Sequence, residues 1–216
     1  PELYYGESPA PFALVNSTAP EINPPGAGRH YDGDGGVKLD STFRRLVYAW
    51  QFADINILLS DQISPDTRIQ YRRNITDRVQ ALAPFLIMDD DPYPVVGEEG
   101  KIWWLQDAFT TTNRYPYSTM SDEGFNYIRN SVKAVVDAFD GDVKFYIVDP
   151  DDPIIQAYQA AFSGLFTPVS EMPEALVDHL RYPEDMFRVQ SELWGAYHVD
   201  ETENFYQRAS EWAISQ

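Results

Sequence analysis

An α+β fold follows from three observations: a mostly antiparallel sheet of hairpins, packed by helices, with a helical C-terminal stretch. Two runs rich in β-branched and aromatic residues, Val132–Phe139 and Val143–Val148, flank Asp140-Gly141-Asp142, and Asp-Gly is a strong hairpin-turn signal. A second hairpin is written around Val95–Val96 and Ile102–Trp104, with its turn at Gly97–Gly100. The hairpins are grouped ahead of a run of helical segments, whereas a doubly wound parallel sheet would alternate the two.

The elements follow in order. Phe12–Val15 reads as a strand in an otherwise loop-rich opening, where residues 24–28 and 32–36 mark turns. Ser41 is placed to cap a helix running to about Leu59. Phe43, Leu46, Val47, Trp50, Ile57 and Leu58 form one apolar stripe at helical spacing, and Tyr48, Phe52, Ile55 and Leu59 widen it. A helix apolar over so much of its circumference is expected at the centre of the core. Ser64-Pro65-Asp66 supplies a cap, a first-turn proline and an early acid for a second helix to about Ala83. The strand opened by Ile102 reaches about Phe109, and an irregular Thr-, Tyr- and Pro-rich loop follows over 110–125. Helices are expected at about Asp152–Phe162, Pro173–Leu180, Pro183–Tyr197 and Glu203–Ile214. The 216 residues can bury a sizeable core, and we expect a single domain over 1–216 with 170–216 as its helical part.

Composition narrows the function. The net charge of −18 opposes nucleic acid as a main partner, because phosphate binding needs a positive field. The imbalance is uneven: residues 41–83 hold six arginines and four aspartates, a local +2. With no cysteine, disulfides, thiol nucleophiles and cysteine-held zinc are ruled out. No apolar run approaches the roughly 18 residues of a membrane span.

None of His30, His179 and His198 stands in a His-Glu-x-x-His pattern, and the chain has no Gly-x-Ser-x-Gly elbow or Gly-Lys-Ser/Thr phosphate loop. No residue is assigned a catalytic role. The acidic clusters Asp32/Asp34, Asp89-Asp90-Asp91 and Asp149/Asp151/Asp152 suit turns and helix caps. The alternative for Asp32, Asp34, Asp149 and Asp151 is a divalent cation, calcium above all, since hard cations want several oxygens from a short loop; no other cofactor is expected. Arg68 and Arg72 fall four apart, on one face of the expected helix, with Arg73 adjacent. They would hold an anion or lipid headgroup, or pair internally with the many aspartates. Trp104, Asp107, Thr111, Tyr115 and Tyr117 would line a ligand groove, as aromatic loops on a rigid sheet commonly do, or pack over the sheet.

Several segments occur together in fixed order: Phe12–Asn16, Gly36–Leu46, Asn56–Ser60, Arg73–Val79, Leu82–Leu86, Asp91–Tyr93, Asp107–Thr111, Tyr115–Ser118, Asn126–Asp137 and His179–Asp185. In these the chain resembles a family of uncharacterised bacterial multi-pass membrane proteins, with membrane helices in the N-terminal half followed by a large soluble region. The resemblance implies a soluble, extracytoplasmic piece of a longer cell-membrane protein whose partner is its own N-terminal membrane helices. It brings no activity. The leading expectation is therefore a non-catalytic interaction or ligand-binding domain. The alternative is an extracytoplasmic hydrolase acting on envelope material, with a metal held by aspartates.

Overall fold

The computed structural model describes residues 3–7, 10–19, 21, 30–97, 100–208 and 212–214. The turn expected at 24–28 and part of the one at 97–100 lie outside them. The fold is α+β with antiparallel sheets, as the hairpins required. The chain divides into two compact units. One comprises 1–81, 96–104 and 136–143; the other comprises 82–95, 105–135 and 144–216.

The first unit holds a three-stranded antiparallel sheet: β1 (Phe12–Val15), β2 (Val37–Lys38) and β3 (Arg68–Tyr71), with β3 in the middle. Leu14 lies opposite Ile69 on one side, and Val37 opposite Ile69 on the other. Helix α1 (Thr42–Gln51) and the single turn α2 (Asn56–Leu59) contribute Ala49 and Ile57 to a core with Leu39, Ile63 and Ile69. Helix α3 (Ile75–Leu82) buries Ile75 and Val79.

Three expectations about this unit are corrected. The helix capped by Ser41 starts as expected, the Ser41 side chain accepting from the Arg44 N–H, but it does not reach Leu59. Ala53 takes a left-handed φ of 51°, and the Asp54 carboxylate accepts from the Asn56 N–H at 2.9 Å, closing one helix and starting the next. Only part of the apolar stripe enters the core: Ile57 is buried and Leu58, Tyr48 and Phe52 pack against the same cluster, whereas Phe43, Leu46, Trp50, Ile55 and Leu59 are exposed. Ser64-Pro65-Asp66 opens no helix. Ser64 Oγ accepts from the Asp66 N–H at 3.2 Å and Thr67 Oγ1 from the Ser64 N–H at 2.9 Å, a tight turn feeding strand β3. Cap chemistry and turn chemistry use the same residues, and pairing with both β1 and β2 decides the outcome for Arg68–Tyr71.

The other sheet has six strands, ordered β4-β6-β7-β8-β9 with β5 also paired to β6. These are β4 (Ile87–Met88), β5 (Tyr93–Val96), β6 (Ile102–Thr112), β7 (Tyr127–Asp137), β8 (Val143–Ile147) and β9 (Phe166–Pro168). Gly141 has φ 75° in the turn before β8, the conformation that Asp-Gly anticipates. Leu105–Thr110 and Ser131–Val135 are buried without interruption, the mark of strands covered on both faces. Strands β4 and β9 escaped the sequence reading because each is only two or three residues long. β9 pairs parallel to β8, with Phe145 opposite Phe166, and helix α4 (Pro153–Ala161) lies between them in sequence. Helices α5 (Glu174–Val177), α6 (Glu184–Tyr197) and α7 (Thr202–Gln207) complete the second unit. α5 is shorter than the Pro173–Leu180 expected. α7 stops where Arg208 turns left-handed at φ 49°, short of Ile214.

Candidate functional site

A groove of about 840 Å³ opens in the second unit, walled by the 115–129 segment, α6 and the 199–208 stretch. Tyr115 stacks on Tyr127 with ring centroids 5.5 Å apart, and Phe125, Met186, Leu193 and Phe205 supply apolar wall. Polar groups interleave: Ser118, Thr119, Asn126, Gln190 and Arg129 face the same space. The loop wall is preorganised. The Asn126 amide donates to the Tyr115 carbonyl at 2.8 Å, and its oxygen accepts from the Tyr115 N–H at 3.0 Å. The Thr119 and Tyr197 hydroxyls, 3.2 Å apart, join that wall to α6.

Of the five residues expected to line a groove, Tyr115 does so. Trp104 is buried in the first unit and donates its indole N–H to the Tyr5 carbonyl at 3.1 Å. Asp107 is buried on β6, Thr111 is half-buried near that strand's end, and Tyr117 is fully exposed at a left-handed φ of 60°. The groove-lining residues of α6 and α7 were legible only as helix faces, because nothing local shows which loop a helix will oppose.

Beneath the groove's helix start lies a buried charged cluster. The Lys133 ammonium pairs with the Asp107 carboxylate and donates to the Arg181 carbonyl at 2.8 Å. Burial pushes the Asp107 carboxyl up, against the pull of Lys133. Asp89 and the first turn of α6 clasp each other: Asp89 Oδ1 accepts from the Asp185 N–H, and Asp185 Oδ2 from the Asp90 N–H, both at 3.0 Å. Burial pushes the Asp89 carboxyl up to about 6, helped by the charges of Asp185 and Asp107 and opposed by N–H donors from Asp185 and Asp91. The Arg181 guanidinium lies 4.1 Å from the Tyr93 ring centre. Lys133 carried the one advance signal of this cluster, as a cation inside the apolar run Val132–Val136 that needs a partner once buried.

The third acidic stretch resolves into a cap. Asp152 accepts from Ser131 Oγ at 2.7 Å, Tyr127 Oη at 2.8 Å, Thr110 Oγ1, and the Ile154 and Ile155 N–H groups at the start of α4. Burial works to raise this carboxyl, and those donors outweigh it and hold it below the usual range. The four aspartates weighed for calcium are engaged elsewhere or exposed. Asp149 pairs with Arg129 at 3.0 Å, Asp34 meets Arg68 at 3.3 Å, and Asp32 and Asp151 are exposed. Among the described residues no group of three or more His, Asp or Glu is placed to hold a metal ion.

The arginines expected on one helix face are not on a helix. Arg68 lies on β3 and donates to the Asp34 carbonyl at 2.7 Å, Arg73 donates to the Tyr4 carbonyl at 2.6 Å, and Arg72 is exposed at a left-handed φ of 50°.

Among the described residues no helix is long and apolar enough to cross a membrane. Comparison with known proteins finds close relatives described only as UPF0182 proteins. The one from Sulfurovum sp. (strain NBC37-1) is 47% identical over 98% of this chain and 24% of its own length. That from Desulforamulus reducens is 47% identical over 99% of this chain and 24% of its own. That from Methanospirillum hungatei JF-1 is 45% identical over 99% and 25%. The chain thus spans about a quarter of the length of the curated relatives it matches. No solved structure matches. The family model covers residues 1–216 from end to end, and the chain belongs to the Uncharacterised protein family UPF0182.

Proposed function

We propose that this chain is a non-catalytic ligand-binding or interaction region of a larger, membrane-attached protein, and that the groove between the 115–129 segment and α6–α7 is its working surface. The groove itself carries this reading. It is large enough for a drug-sized or short-chain ligand, and its aromatic and aliphatic walls are interleaved with hydroxyl, amide and guanidinium groups. That mixture suits an extended ligand with both apolar and polar faces.

The extracytoplasmic setting belongs to the same proposal, supported by the likeness of the chain to multi-pass membrane proteins. A hydrolase reading would draw on the Asp89–Asp107–Lys133 cluster. In that cluster each Asp89 oxygen already accepts a backbone N–H and Lys133 is spent on Asp107 and a carbonyl, which supports an internal clasp over a site open to substrate.

The test is complementation of a strain lacking the full-length protein, with variants matched for expression. Leu193→Arg or Tyr127→Ala in the groove is expected to abolish rescue, while Tyr117→Ala, outside it, rescues fully. Full rescue by both groove variants would sink the assignment of the groove.

A further inference from the structure

Helix α6 begins without a cap of its own. Pro183 stands at the N-cap position and makes no side-chain bond to the first turn, where Ser41 and Asp152 serve α1 and α4. The cap is supplied from the link between β4 and β5. Asp89 Oδ1 accepts the Asp185 N–H at 3.0 Å, and Asp185 Oδ2 accepts the Asp90 N–H at 3.0 Å. The segment ahead of the helix is held as well. Tyr93 Oη donates to the His179 carbonyl at 3.1 Å and accepts the Arg181 N–H at 3.2 Å, while Lys133 donates to the Arg181 carbonyl at 2.8 Å. Residues 179–185 are thus a strap fastened by Tyr93, Lys133 and Asp89 in turn. Beyond it, α6 supplies Met186, Val189, Leu193 and Tyr197 to the groove wall.

The fastening at Asp89 is the one that can take up or lose a proton near neutrality. Its surroundings are crowded with charge. From α6 come Asp185, paired with Arg188, and Glu184, exposed in the same first turn. From β6 and β7 come Asp107 and Lys133, paired with each other. Tyr93 stands on β5 with the Arg181 guanidinium over its ring, and Asp90 and Asp91 follow Asp89 in the chain. Among the described residues no cation pairs with Asp89, which is 2% exposed. Burial, with Asp185 and Asp107 behind it, therefore keeps the proton on Asp89 up to about pH 6, against its N–H donors.

A protonated Asp89 still accepts the Asp185 N–H through its carbonyl oxygen. Loss of the proton leaves a buried charge without a counter-charge, and that charge gains water when the strap lifts. The strap is the side that yields, because Asp89 is fixed in the sheet: its N–H donates to the Asp107 carbonyl at 3.0 Å and its carbonyl accepts from Gln106 Nε2.

We propose that residues 179–185 are a proton-operated strap: with Asp89 protonated it is fastened and α6 is seated, and with Asp89 ionised the strap and α6 open more often while the remainder of the second unit stays folded. Opening moves one wall of the groove and so regulates it. That use rests on the groove being the working surface; the opening itself does not.

The experiment is amide hydrogen exchange of the 216-residue chain, read over 183–197 and over α4 and corrected for the intrinsic rate at each pH. A proton held about two units more tightly in the closed form raises the opening constant roughly tenfold between about pH 5 and 7.5. Protection over 183–197 is expected to fall by that factor, and protection of α4 to stay level. Asp89→Asn keeps the shape and loses the titration, so its protection over 183–197 should not change with pH. His179 and His198, which bond the Ala175 and Trp194 carbonyls, remain in that variant, so a fall that survives in it belongs to them and overturns the proposal. Equal protection of the native chain at both pH values overturns it, as does a parallel fall over α4, which would be loosening of the whole unit. Asp185→Asn keeps the backbone bond and removes the facing charge, and serves if Asp89→Asn does not fold. It should move the midpoint of the fall to lower pH, and an unmoved midpoint overturns the proposal. Full rescue by the groove variants in the complementation test would remove the use and leave the strap; exchange independent of pH would remove the strap and leave the groove.

Discussion

Asp152 and Asp89 are both buried in the second unit, at 1% and 2% exposure, and each accepts at least one backbone N–H at the start of a helix. Their carboxyls are nevertheless driven in opposite directions, Asp152 below the usual range and Asp89 up to about 6. Burial raises both. The difference lies in the company. Asp152 collects three hydroxyl donors besides its backbone pair, with Arg129 bound to the neighbouring Asp149. Asp89 has backbone donors alone and faces the charges of Asp185 and Asp107. Donors without charge lower a buried carboxyl, and neighbouring carboxylates undo that gain. The first is a cap fixed in its anionic form; the second titrates close to neutral pH.

The comparison breaks most visibly at Lys133. Lys133→Met leaves Asp107 buried without its partner and the Arg181 carbonyl without a donor, and should cost about 3–5 kcal/mol in urea unfolding. A loss below about 1 kcal/mol would mean that Asp107 is already protonated in the native state. Next comes Asp152→Ala, which removes the α4 cap and the carboxylate that accepts from the buried Thr110 and Ser131 hydroxyls, leaving them only each other and the Arg129 carbonyl. The expected cost is about 2–3 kcal/mol. A loss no larger than that of an exposed cap would show that the hydroxyls find other partners.

The pH-dependent effect has the most telling sign. The Asp89 pKa is raised on folding, so the native state binds its proton more tightly than the unfolded chain. The resulting stability is fully present below the unfolded value near 4 and is lost as pH climbs through about 6. Asp152 runs the other way: its stability is present above the unfolded value and lost as pH falls through its lowered folded pKa. Asp89→Asn should therefore flatten the stability profile between about pH 4 and 7, removing a fall of about 2–3 kcal/mol. A profile as steep in that variant as in the native chain would move the titration to another group.

Elements whose signals are local were legible in the chain. Ser41 and Asp152 cap the helices they were expected to cap, and Gly141 sits in the hairpin turn that Asp-Gly writes. Pro183–Tyr197 became α6 with hardly a change at its ends. The failures share one cause. Arg68–Tyr71 follows a helix-start pattern and becomes the middle strand of a sheet, because β1 and β2 offer it partners some thirty to sixty residues away. Tyr115 was found as a groove residue because it stands in an aromatic loop; Leu193 and Phe205 were not, because their role depends on which loop α6 and α7 meet.

The sequence by itself determined the α+β class, the Ser41 and Asp152 caps, the Asp-Gly hairpin turn, the absence of thiol chemistry and the acidic balance, all of which are set by residue type or by neighbours a few positions away. Tertiary structure alone decided three things: which buried aspartate has its carboxyl pushed up, which side of α1 looks outward, and which helices close the groove. Burial, charge proximity and long-range strand pairing depend on residues remote in sequence, and an apolar stripe carries no mark of whether it meets the core or the solvent.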